Sequence, residues 1–291
     1  MSGAGRRWLE LSARRPVAED LAPLVVEALL SLGGRAAEER EGWLLTHLPA
    51  PDELDAFLAE ARRAIEAATG IDGIEVRGVW REHEDWSETW KRGLGPRRIT
   101  DRILVHPSWL PAPGDTPPAT IVLDPGMAFG TAEHGTTRGC LRLLDRAVRP
   151  GDTAVDVGAG SGVLAIAAVL LGAASCTAIE ADPLSCEALR ENVERNHVAD
   201  RVRCVEARVD AKELARLAPV AGVVANIETG VLRPLLGGFA RALAPGGWLI
   251  LSGILEAEWP ALRADAEAAH FRFVDLDADG EWRSGLFALP G

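Results

Sequence analysis

Residues Thr153 to Leu171 carry the strongest chemical signal in the chain. A short apolar run (Ala154, Val155, Val157) leads into glycines at alternate positions (Gly158, Gly160, Gly162), followed by small and branched apolar residues. The pattern reads as strand, glycine loop, helix. Glycine there lets the backbone take positive φ, and the free N–H groups at a helix start point at whatever lies against the loop. A dinucleotide fingerprint spaces its glycines G-x-G-x-x-G. Here the third glycine arrives one residue early, and Val163 stands where that pattern has glycine. Asp156 ends the strand just before the loop. A carboxylate facing the loop repels a pyrophosphate but suits a cation, such as the ammonium and sulfonium of S-adenosyl-L-methionine. Glu180, 22 residues beyond Gly158, falls where doubly wound folds place the acceptor for a nucleotide ribose. Asp156, Gly158, Gly160 and Glu180 together point to a nucleoside cofactor, and Val163 and Asp156 speak against a nicotinamide one.

Ligands of open α/β sheets lie outside the carboxyl ends of the strands. The site is therefore expected in the loops after Asp156, Ile179 and Ala225. Asn226 follows a buried strand, and its carbonyl can accept from an amine while that nitrogen attacks a methyl group; an Asx-turn or helix cap is the alternative. Methyl transfer from a sulfonium needs a neutral, in-line nucleophile, so positioning and desolvation supply most of the acceleration. His134 suits either a general base or a hydrogen bond that orders its loop.

Composition narrows the rest. The 291 residues suffice for one large or two modest domains, and 47% hydrophobic with 25% charged residues is ordinary for a globular protein. A net charge of -12 opposes general nucleic-acid binding and favours a cationic partner. The basic run Lys91, Arg92, Arg97, Arg98 and Arg102 beside two tryptophans reads as a solvated join rather than an RNA patch. Lys91 and Lys212 are the only lysines and tyrosine is absent, which removes tyrosine bases and leaves little scope for Schiff-base chemistry. Cys140, Cys176, Cys186 and Cys204 form no C-x-x-C pair, so buried free thiols in a reducing cytoplasm are expected, without a metal site. No apolar run suits a signal peptide or a membrane span. A cytoplasmic monomer is the expectation.

The elements that must position these residues fall into two groups. Residues 1–80 read as a small ferredoxin-like α+β domain, β-α-β-β-α-β. Strands are expected at Trp8 to Ser12, Arg35 to Glu39, Trp43 to Leu48 and Ile74 to Trp80, the middle two joined at Glu41-Gly42. One helix is capped by Asp20 and another opens near Pro51. Residues 81–102 are a linker holding a short helix over 86–92 and a flexible Gly93–Pro96 join. Residues 103–291 form the larger domain. Strands are expected at Ile103 to Val105, Ile121 to Leu123, Ala154 to Val157, Cys176 to Ile179, Val202 to Val205, Ala221 to Ala225, Trp248 to Leu251, Phe271 to Leu276 and Trp282 to Leu289. Helices are expected from Thr136 or Thr137, over Pro183 to Asn196, around Leu232 to Leu243 and over Ala257 to Ala269, with none between Val205 and Ala221, and Pro245-Gly-Gly is a turn. The result is a mostly parallel, Rossmann-like seven-stranded sheet with an antiparallel edge, the architecture of a class I methyltransferase.

Asp124-Pro-Gly-Met-Ala-Phe-Gly-Thr-Ala-Glu-His-Gly-Thr-Thr137, the Asp156 to Gly162 loop, Val224-Ala-Asn-Ile227, Ser252-Gly-Ile-Leu255 and His106-Pro-Ser-Trp109 together resemble the ribosomal protein L11 methyltransferase family. The resemblance runs through residues 86–291 in order and reaches the N-terminal unit in topology only. It implies that Thr137, Gly158, Glu180 and Asn226 contact S-adenosyl-L-methionine, with Phe129 and Gly130 lining the mouth of the site. It also implies that the N-terminal domain grips ribosomal protein L11 while the second domain methylates its N-terminal and lysine amines. Another protein lysine or a small-molecule amine is the alternative acceptor. The family usually reads G-T-G-T-H-P-T-T and N-I-L-A-G-P-L where this chain has Gly130-Thr-Ala-Glu-His-Gly-Thr-Thr137 and Asn226-Ile-Glu-Thr-Gly-Val-Leu232. Glu133 and Glu228 thereby place extra negative charge where the amine should arrive.

Overall fold

Alternation at Leu9, Leu11 and Ala13 turns one face of the first strand inward, where these side chains are fully buried. The structure is a computed structural model; it describes residues 8–291 apart from 17, 19, 20, 35, 36, 41, 50, 52, 82–94, 125–127 and 129. Asp20, Arg35, Glu41, Asp52, the helix expected over 86–92 and Phe129 lie outside the described residues. Packing divides the chain into two units, Met1–Gly93 and Leu94–Gly291.

The first unit runs β1 (Trp8–Arg14), α1 (Ala22–Ser31), β2 (Ala37–Arg40), β3 (Trp43–Pro49), α2 (Leu54–Thr69) and β4 (Val76–Arg81). Its sheet has the order β2-β3-β1-β4 with every neighbour antiparallel, which is the ferredoxin-like arrangement. Leu9, Leu11 and Ala13 pack against Val25 and Leu29 of α1 and against Ala61 and Ile65 of α2. Gly70 ends α2 in the left-handed conformation, with φ 70°.

The second unit opens with a small sheet of β5 (Arg97–Arg98), β6 (Ile103–Pro107) and β7 (Ala119–Leu123). The large sheet holds β8 (Thr153–Val157), β9 (Ser175–Glu180), β10 (Val202–Glu206), β11 (Val220–Asn226), β12 (Leu243–Leu255), β13 (Arg272–Asp279) and β14 (Trp282–Ala288), in the order β10-β9-β8-β11-β12-β14-β13. β8 to β12 are parallel, and β14 is antiparallel to both its neighbours. On one face α3 (Gly135–Ala147), α4 (Val163–Leu170) and α5 (Pro183–Arg195) bury Leu141, Leu144, Ile166 and Leu189. On the other, α6 (Ala211–Leu217), α7 (Thr229–Ala242) and α8 (Trp259–Ala268) bury Leu214, Phe239 and Leu262. Strand order reverses between β8 and β11, and that crevice is where such sheets bind ligands.

Three elements depart from the sequence expectation. Arg97–Arg98, placed in the join, pair with β6 as a short strand because Arg97 and Arg98 lie opposite Val105 and Leu104. β12 starts at Leu243 rather than Trp248. Pro245-Gly-Gly is absorbed as an irregularity, with Gly246 at φ 78° and its N–H donated to the Leu289 carbonyl. α6 was not anticipated: it is a short helix with one buried residue, Leu214, started by Asp210, whose carboxylate accepts from the Lys212 and Glu213 amides. Among the described residues no helix is long and apolar enough to cross a membrane.

Candidate active site

Gly158, Gly160 and Gly162 all have positive φ (71°, 52° and 84°), so the alternate glycines bend the chain from β8 into α4 as their spacing requires. The Gly158 and Ala159 amides donate to the Ile179 carbonyl at 2.9 and 3.1 Å, tying the loop to the end of β9. Asp156 sits beneath the loop, next to the first turn of α4. It is fully buried, its Oδ2 accepts from the Ala165 amide in the first turn of α4 at 3.0 Å, and its Oδ1 has no partner. Burial pushes its carboxyl up to about 7, the Ala165 bond lowers it, and the charge of Glu180 adds to the rise.

A carboxyl whose folded value is raised binds its proton more tightly in the folded than in the unfolded chain. Its contribution to stability is therefore fully present below its unfolded value and is lost as pH rises from there through about 7. Asp156→Asn keeps an acceptor for Ala165 and does not titrate. Denaturant unfolding at pH 5 and pH 8 should show the wild type losing more stability between the two than the variant. Equal losses would mean that Asp156 ionises as an exposed carboxylate does.

Glu180 closes β9 and holds its carboxylate at the rim. Oε2 accepts from the Gly160 amide at 2.8 Å, and Oε1 accepts from Ala181 and Asp182 at 2.7 and 2.9 Å. Three amides thus fix the carboxylate's direction, and Oε2 keeps a lone pair for a hydroxyl donor. Asp182 caps α5 by accepting from the Ser185 amide at 3.0 Å.

The segment ahead of α3 meets this loop from the other side. Ser161 Oγ donates to the Gly130 carbonyl at 2.7 Å, and Gly130 has φ 103°. Thr137, fully buried in the first turn of α3, accepts at Oγ1 from Asn226 Nδ2 at 3.5 Å, the long end of the hydrogen-bond range. The two residues are 89 positions apart in sequence. Their contact turns the amide nitrogen of Asn226 towards α3 and leaves its Oδ1 for another donor. Ile227, next along, packs so closely that a Cβ on Gly158 would lie 2.4 Å from its Cγ2. Ser252 Oγ, buried at the matching point of β12, bonds to the Thr136 carbonyl at 3.2 Å and to Ser284 Oγ at 2.6 Å. Thr137, Gly158, Gly160, Glu180 and Asn226 therefore gather at the carboxyl edge around the β8/β11 crossover, with Gly130 bonded to Ser161 beside them.

One expectation about charge changes. Glu133 forms a two-point salt bridge with Arg97, so it does not add free negative charge. His134 Nδ1 lies 2.8 Å from Thr136 Oγ1, and its ring lies 4.8 Å from that of Trp282, tilted by 56°, contacts that order the loop. Glu228, at the N-cap of α7, is exposed. Arg138 holds the loop from behind through the Glu133 carbonyl and Asp279, with Arg142–Asp277 and Arg146–Asp275 continuing the ladder along β13. The Arg138 and Arg142 guanidiniums keep the Asp279 carboxyl well below the usual carboxylate range. Cys140, Cys176 and Cys186 are buried and Cys204 is half-buried. Burial drives the Cys140 thiol up to about 12, which disfavours a thiolate nucleophile.

This strand order, with a glycine loop after β8 and an acid at the end of β9, defines a class I methyltransferase domain. The sequence profile described as "Ribosomal protein L11 methyltransferase" matches residues 40–287. The protein of that name from Pelotomaculum thermopropionicum is 44% identical over 231 residues, covering 79% of this chain and 72% of the relative. That from Symbiobacterium thermophilum is 38% identical over 260 residues, covering 82% and 80%. The crystal structure of a ribosomal protein L11 methylase from Lactobacillus delbrueckii subsp. bulgaricus superposes with a TM-score of 0.61 at 28% identity, covering 68% of this chain and all of that one. The chain belongs to the ribosomal protein L11 methyltransferase family.

Proposed function

We propose that this protein transfers methyl groups from S-adenosyl-L-methionine to the N-terminal and lysine amines of ribosomal protein L11, in the cytoplasm and as a monomer. The observation that carries the reading is the convergence of Thr137 and Asn226 on the crevice between β8 and β11, opposite the glycine loop and Glu180. The donor set fits the cofactor. Glu180 offers an oriented carboxylate to the ribose hydroxyls, the bare backbone of Gly158 and Gly160 admits close approach, and Thr137 and Asn226 offer polar atoms to the amino-acid end. Gly130 lines the mouth in this reading. When bound, the cofactor supplies a methyl carbon on a sulfonium, whose departure leaves a neutral thioether.

The protein's part is to hold the amine neutral and in line. One proton passes from the incoming ammonium to water, and Asn226 Oδ1 accepts from an N–H of the resulting neutral amine while the nitrogen lone pair is turned to the methyl carbon, leaving the product as a methylammonium. Glu228 draws a lysine ammonium towards the edge. Asp156 serves from beneath by fixing α4 under the loop. The N-terminal ferredoxin-like unit recognises the substrate protein, and the net charge of -12 suits a lysine-rich client.

Mass spectrometry of recombinant ribosomal protein L11 incubated with this chain and S-adenosyl-L-methionine tests the proposal. Mass gains of whole methyl groups, mapped to the N-terminus or to lysines, are expected. Cofactor binding without any gain would transfer the reading to another amine acceptor, and no cofactor binding would remove it.

A further inference from the structure

We infer that Asn192 is a positioning residue for methyl transfer: together with Ser161 it pins both ends of the Asp124–Gly130 segment to the glycine loop. The inference rests on the cofactor reading above. α5 turns Asn192 inward, fully buried beside Leu189 and Val193. A carboxamide has two N–H donors and two carbonyl lone pairs, and here all four are used. Nδ2 donates to the Asp124 and Ser161 carbonyls, both at 3.0 Å. Oδ1 accepts from the Asp124 amide at 2.9 Å and from Arg195 at 2.6 Å. At the far end Ser161 Oγ donates to the Gly130 carbonyl at 2.7 Å. Ser161 thus holds Gly130 through its hydroxyl and Asp124 through its carbonyl and Asn192. It lies between Gly160, whose amide reaches Glu180, and Gly162, the cap of α4. Asp124 and Gly130 are therefore both tied to the glycine loop, the first by the Asn192 amide and the second by the Ser161 hydroxyl.

Asn196, a turn further along, supplies the comparison. Its Oδ1 accepts from the Val122 amide at 2.8 Å, and its Nδ2 donates to the Val122 carbonyl at 2.7 Å and to the Asn192 carbonyl at 2.8 Å. Four helical residues advance about 6 Å and two strand residues about 6.8 Å. The two amides can therefore pair with Val122 of β7 and with Asp124 just beyond its end, at the alternate spacing of a neighbouring strand. Both amides secure the strand; only that of Asn192 also grips the glycine loop.

The test uses the full chain as Asn192→Asp, Asn196→Asp and Ser161→Ala. Asparagine to aspartate keeps the shape and removes both N–H donors. Three quantities are read: cofactor affinity by calorimetry with S-adenosyl-L-methionine, amide hydrogen exchange over 124–137, and thermal unfolding of the cofactor-free protein. Asn196→Asp should lower the unfolding temperature and leave the cofactor Kd within about twofold of wild type. Asn192→Asp should raise that Kd about tenfold and speed exchange over 124–137 beyond what its unfolding temperature accounts for. Ser161→Ala should speed exchange from Gly130 onward, and it decides the matter should Asn192→Asp not fold. If Asn192→Asp folds yet matches Asn196→Asp in Kd and exchange, the inference is overturned; with Asn192→Asp unfolded, unchanged exchange in Ser161→Ala overturns it. Failure of the wild type itself to bind cofactor would instead remove the cofactor reading, and the exchange comparison would still decide the clamp.

Discussion

Asn226→Ala is expected to lower kcat/KM for methylation of ribosomal protein L11 about a hundredfold, because an acceptor nitrogen held loosely no longer meets the methyl carbon in line. The side chain is half-buried at the last residue of β11, and its only bond among those described is the 3.5 Å one to Thr137. Removing it leaves no buried donor stranded, since the Thr137 hydroxyl can rotate, so the thermal transition should barely move. The loss should fall mainly on kcat, as expected of an interaction made most strongly in the transition state. Thr137→Val provides the graded comparison. It keeps Asn226 but removes the acceptor that turns Nδ2 aside, and about a tenfold loss is expected. Wild-type kcat in Asn226→Ala would reduce Asn226 to a cap of the following turn and take the amine-binding role away from it.

How far the site was legible follows from where its signals reside. The glycine loop and Glu180 were readable because backbone geometry at Gly158, Gly160 and Gly162 admits few other residues, and because a strand-end acid has a fixed place in a doubly wound sheet. The ferredoxin-like unit was readable from the order of its elements, β-α-β-β-α-β, which few small folds share. The depth of Asp156 was not legible, since a strand-end carboxylate can face the loop or the helix beneath it. Only packing decides between them. The pairing of Glu133 with Arg97 spans 36 residues, and local pattern does not reach that far. Asn192 did leave a trace: an amide between Leu189 and Val193 on the inward face of an amphipathic helix is a polar group that must find buried partners. What the sequence withheld was the identity of those partners, because they are backbone atoms of Asp124 and Ser161.

Gly158→Ala is expected to abolish most activity, more than a hundredfold in kcat/KM, through a mechanism that reaches Asn226 indirectly. Alanine at φ 71° costs roughly 1–2 kcal/mol in backbone strain alone. The larger effect is steric, because the new methyl would lie 2.4 Å from Ile227 Cγ2. The loop cannot back away freely while the Gly158 and Ala159 amides are bonded to the Ile179 carbonyl. Ile227 also has little room, because the left-handed Gly253 brings its own Cα so near that a Cβ there would sit 2.4 Å from the Ile227 carbonyl oxygen. Either the loop rises into the space assigned to the cofactor, or Ile227 shifts and carries Asn226 out of line. A double-mutant cycle separates these routes. Ile227→Ala deletes the clashing Cγ2, so Gly158→Ala combined with Ile227→Ala should recover kcat well beyond Gly158→Ala alone if the glycine loop acts through Asn226. Strict additivity, with cofactor affinity still depressed, would locate the damage in the loop itself and leave the two halves of the crevice energetically independent.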